Sequence, residues 1–113
     1  MCIRDRFDEE AVASYLRHFA DPATVHASCE DYRAAASVDL EHDEADAVAG
    51  RTVACPLLAI WGAHGFVGNR YDVLAVWRDY ATDVRGRAVH SGHFPAEEAP
   101  DETAGMLRDF LGG

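Results

Sequence analysis

Pro56-Leu57-Leu58-Ala59-Ile60-Trp61, an unbroken apolar segment stopped by Gly62, has the pattern of a strand buried on both faces. Strands of that kind are usually parallel, and a parallel pair needs a long crossover between its members. The sequence supplies one. Gly62 to Asn69 reads as a loop with three glycines, Asp72 caps a helix carrying Leu74, Val76, Trp77 and Tyr80, and Gly86-Arg87-Ala88-Val89-His90 reads as a second short strand. Pro100 then opens a closing helix with Ala104, Leu107, Phe110 and Leu111 on one face, ended by Gly112. The fold class is α/β, but two strands do not make an independent sheet, so this pattern predicts further strands supplied from outside it.

Residues 7–50 read as helices only. Asp8 caps a first helix, Glu9 and Glu10 suit its positive end, and Val12, Leu16 and Phe19 recur on one face up to about Ala20. Asp21-Pro22 repeats the start signal, and Val25, Cys29, Tyr32 and Ala36 mark the stripe of a second helix, which places Tyr32 on a packing face. A third, acidic helix is expected from about Asp43 to Ala49, with Gly50 ending it. Met1 to Arg6 has no periodicity and reads as a foreign or artefactual leader. Three segments follow: 1–6 as leader, 7–50 as a helical portion, and 51–113 as a strand-bearing portion.

Ten arginines and no lysine against 20 acidic residues give a net charge of -10, which opposes binding to nucleic acid or to anionic membrane surfaces. The longest apolar run, Val53 to Trp61, falls far short of the roughly 20 residues that span a bilayer. Cys2, Cys29 and Cys55 have no C-x-x-C spacing, so neither a disulfide framework nor a zinc knuckle is indicated and a reducing cytoplasm is expected. Histidines 26, 42, 64 and 90 lack metal-ligand spacing, and neither a metal nor another cofactor is called for. Cys55, Trp61 and Trp77 read as core, and the acids from Glu41 to Asp46 as a solvated face lacking the spacing of a calcium loop.

The candidate for chemistry is His93. Ser91-Gly92-His93-Phe94 follows the second strand, and loops at the carboxyl ends of parallel strands are where catalytic clefts form. A general base needs one imidazole nitrogen aimed into such a cleft and a carboxylate holding the other. The plain alternative is a loop histidine bonded to backbone. No G-x-S-x-G elbow accompanies it, so the chain reads as the closing half of an enzyme without its nucleophile.

Gly92-His93-Phe94, the following Glu97-Glu98-Ala99-Pro100 and Glu102, and the upstream Cys55-Pro56-Leu57-Leu58-Ala59-Ile60-Trp61-Gly62 resemble the C-terminal part of α/β-hydrolases, the last two parallel strands with their flanking helices. Asp21-Pro22-Ala23-Thr24-Val25-His26 and Cys29-Glu30-Asp31-Tyr32-Arg33-Ala34-Ala35 resemble the cap of the haloacetate (fluoroacetate) dehalogenase branch. The resemblance implies that an aspartate attacks the halogen-bearing carbon and that a histidine-activated water hydrolyses the resulting ester. His93 matches that histidine, and Tyr32 matches a cap tyrosine that donates to the departing halide. The family's nucleophile and its carboxylate-gripping arginines match no residue here. Many hydrolases carry the triad acid in the loop after the penultimate strand, whereas Trp61-Gly62-Ala63-His64-Gly65 has none; the dehalogenase branch takes it from an earlier strand.

The expected partner is a small haloacid, with a homodimer implied for an intact enzyme and the chain alone expected to be inactive. Two alternatives stand beside this. A cap-bearing epoxide hydrolase uses two cap tyrosines, for which Tyr15 is the other candidate. A small non-catalytic interaction module would unfold cooperatively as a monomer, whereas a hydrolase fragment with an exposed apolar edge would aggregate.

Overall fold

The computed structural model describes residues 7–112, so the leader reading of residues 1–6 lies outside it. The chain divides into two compact units between Arg51 and Thr52.

The first unit holds α1 (Glu9–Phe19), α2 (Pro22–Ala35) and α3 (Val38–Val48), with α2 touching both neighbours. Local capping explains the first two starts. Asp8 accepts the Ala11 N–H at 2.9 Å and Asp21 accepts the Ala23 N–H at 2.9 Å, each satisfying an amide that the helix leaves unpaired. The third helix begins five residues earlier than Asp43. Ser37 breaks the chain at φ -145, ψ -96 and turns its hydroxyl back to the Arg33 carbonyl, after which Asp39 and Glu41 sit in the first turn where the helix dipole favours them. Gly50 ends the unit at φ 65, a conformation that side chains disfavour. None of the three helices contains a buried residue. The Tyr32 stripe is therefore not packed here: Tyr32 is 80% exposed, and Leu16 and Phe19 are also exposed.

The second unit is built on β1 (Leu57–Gly62) and β2 (Val84–Val89), paired in parallel from Leu57↔Val84 to Gly62↔Val89. Between them lie α4 (Phe66–Arg70) and α5 (Val73–Arg78), and after them α6 (Pro95–Glu98) and α7 (Pro100–Leu111). Asp72 caps α5 by accepting the Ala75 N–H at 3.0 Å. The core is small: Ala59, Val73, Ala81 and Val89, with buried Ser91 and Thr103.

Three expectations change. The Gly62–Asn69 stretch contains α4 as well as loop, and its glycines serve close packing: a Cβ on Gly68 would lie 2.9 Å from both the Gly62 oxygen and Trp61 Cδ1. Along β1 only Ala59 and Gly62 are buried, because the sheet among the described residues has just two strands and covers β1 on one edge. Cys55 is exposed and Trp77 is 41% exposed, so neither is core.

Candidate active site

His93 sits in the loop between β2 and α6, just beyond the carboxyl ends of both parallel strands. The loop is tied down on two sides. Towards β1, the Ala63 N–H donates to the Val89 carbonyl at 2.9 Å and the His64 N–H to the Ser91 carbonyl at 3.0 Å. These bonds require the two backbones to approach closely, which only a glycine at position 62 allows. A Cβ there would lie 1.7 Å from the Gly92 oxygen.

Towards the C-terminal helices, carboxylates take alternate amides. Glu102 of α7 accepts the His90 N–H at 3.1 Å and pairs with the Arg87 guanidinium. Glu98, at the end of α6, accepts the Gly92 N–H at 3.0 Å through Oε2 and the Phe94 N–H at 3.2 Å through Oε1. The Arg87 hydrogen bond first, then the His90 amide, hold the Glu102 carboxyl below its ordinary range, against a smaller opposing effect of desolvation. Thr103 bonds the Pro95 carbonyl at 3.0 Å and so anchors the start of α6.

The exposed His93 ring stacks edge-on against Phe94, with centroids 4.8 Å apart. It also lines a groove of about 400 Å³. All six residues of β1 line that groove. Successive strand residues face opposite sides of a sheet, so a groove touching all six runs along the unpaired edge of β1, not over one face.

Tyr32 stands on α2 in the first unit and is highly exposed. Sequence spacing missed two features. Glu98 is six residues from Gly92, a short-range carboxylate-to-amide pattern, yet only the geometry picks it over Glu97. His64 and His90 are 26 residues apart and meet at 3.3 Å between Nε2 and Nδ1, rings nearly perpendicular, because the strand register brings their loops together. Among the described residues no group of three or more His, Cys, Asp or Glu side chains could hold a metal ion. No described helix is long and apolar enough to cross a membrane.

Parallel strands joined through α4 and α5, followed by a histidine loop and closing helices, form the C-terminal part of an α/β-hydrolase fold. A protein from Nostoc sp PCC 7120 assigned to the α/β hydrolases superposes with a TM-score of 0.88 at 50% identity, covering 95% of this chain and 36% of that one. Within that superfamily the chain resembles the haloacetate dehalogenase branch: it is 38% identical to a fluoroacetate dehalogenase from Burkholderia sp over 95% of its length and 34% of the relative's. It is also 34% identical to a soluble epoxide hydrolase from Corynebacterium sp. (strain C12), over 83% of this chain and 31% of the relative. The chain thus spans about one third of the curated relatives it matches. No family model matches it.

Proposed function

We propose that this chain supplies the water-activating histidine and cap residues of a hydrolase that removes halide from a short haloacid such as haloacetate. The observation that carries the reading is the placement of His93 in a braced loop at the carboxyl ends of two parallel strands. The fluoroacetate dehalogenase relative supports the substrate class. In this reading an aspartate, contributed by the remainder of the enzyme, attacks the carbon bearing the halogen. A carbon–oxygen bond forms, the carbon–halogen bond breaks, and halide leaves with the bonding pair, aided by the Tyr32 phenol. His93 then takes a proton from water. The hydroxide attacks the ester carbonyl, collapse releases the hydroxy acid and regenerates the aspartate, and His93 gives its proton up to solvent. A further strand of the enzyme fills the groove along β1, and the 113-residue chain alone is inactive.

A second reading is favoured by the epoxide hydrolase relative: the same nucleophile and base would open an epoxide, with Tyr15 joining Tyr32. Substrates separate the two. The native polypeptide carrying this sequence, at its full natural length, is offered fluoroacetate, chloroacetate and a terminal epoxide. Halide release from a haloacetate without epoxide opening supports the dehalogenase reading; diol formation with no halide release overturns it in favour of the second.

A further inference from the structure

We infer that Glu98 is the positioning residue of His93, which rests on the base role proposed for that histidine. The residues on either side of His93 each present their N–H to one carboxylate, Gly92 to Oε2 at 3.0 Å and Phe94 to Oε1 at 3.2 Å. Amides of one loop converging on an anion make an anion-binding concavity, and here alternate amides, those of Gly92 and Phe94, converge on the chain's own carboxylate. The two bonds fix the backbone on both sides of the base, which leaves the imidazole little freedom beyond its own side-chain torsions.

Independent features agree with that role. Gly92 has no Cβ, and one built there would come within 3.0 and 3.2 Å of the Glu98 oxygens, so a side chain at position 92 would crowd the carboxylate. Glu98 is placed by α6, where its N–H bonds the Phe94 carbonyl at 2.9 Å, closing a reciprocal pair with Phe94. The start of α6 is in turn held by the buried Thr103. Glu102 performs the equivalent service one step back, at His90, so the loop is pinned at positions 90, 92 and 94 while the residue between the last two is the base. Two carboxylates thus act on the loop through its backbone, and Glu98 is the one that brackets His93.

The test is amide hydrogen exchange on the natural-length polypeptide, read with activity. Glu98→Ala removes both acceptors, and the Gly92 and Phe94 amides are expected to exchange at least about tenfold faster, with the β1 and β2 amides unchanged. Glu98→Gln retains one carbonyl oxygen while its NH2 is a donor, so only one of the two amides stays protected. In the same variants kcat falls by about tenfold to a hundredfold at nearly constant KM, and Glu98→Gln recovers part of the loss. Unchanged exchange at both amides in either variant, or unchanged kcat in Glu98→Ala, overturns the inference. If Glu98→Ala does not fold, the single-amide pattern in Glu98→Gln decides alone. Failure of the base role itself has a different signature: the exchange pattern stands while His93→Ala keeps full turnover.

Discussion

Gly62→Ala is the substitution that most directly strikes the junction between the two strand ends. The added Cβ would lie 1.7 Å from the Gly92 oxygen and 2.7 Å from both Gly92 C and the Ser91 oxygen, all backbone atoms that no rotamer change can move. Reaching an ordinary contact of 3.4 Å requires the Gly92 carbonyl or β1 to retreat by about 1.7 Å. Such a shift breaks the Ala63 to Val89 and His64 to Ser91 bonds, now 2.9 and 3.0 Å long. Two bonds at about 0.5–1.5 kcal/mol each, with overpacking of about 1–3 kcal/mol, give a loss of about 2–6 kcal/mol. A displacement above 1 Å at the His93 loop also costs about a hundredfold in turnover, even where the protein stays folded. Denaturant unfolding measures the first effect and halide release the second. A variant within about 0.5 kcal/mol of the parent and with full activity would refute the close approach of these loops.

Tyr32→Phe removes a hydroxyl from a side chain that is 80% exposed, so unfolding should shift by less than about 0.5 kcal/mol. Loss of a donor to a departing anion should slow halide release by about tenfold or more, measured with an ion-selective electrode. Because Glu102 is held below the ordinary carboxylate range, its contribution to stability is fully present above about pH 4.3 and is lost as pH falls through the lowered value. Unfolding midpoints measured between pH 7 and pH 3 are therefore expected to fall at the acid end, and Glu102→Gln to flatten that fall; a parallel curve for the variant would count against it.

The parts of this fold written in the sequence are those decided locally. Asp8, Asp21 and Asp72 mark helix starts because a carboxylate two or three residues from an orphan amide needs no distant partner. The parallel β1–β2 pair is legible because one continuous apolar segment and a second short strand pattern, separated by a helix, leave few other pairings. Burial was not legible. The stripe through Leu16 and Phe19, the stripe through Tyr32 and the face around Trp77 say which side seeks cover, but periodicity does not say what covers it, and all four residues are exposed. The start of α3 was missed because Ser37 breaks the chain by its dihedral angles and not by a capping bond. His93 could be picked from its position after a strand, whereas its bracing by Glu98 depends on the fold of α6, and the His64–His90 contact depends on strand register.

We propose that His93 activates water in a dehalogenating hydrolase. Its most direct test is halide release by His93→Ala in the native polypeptide carrying this sequence, at its full natural length, with haloacetate in excess. The parent is expected to turn over repeatedly, and the variant to release one equivalent of halide per site with an ester trapped on the protein. No halide release by the parent, or repeated turnover by His93→Ala, would contradict it.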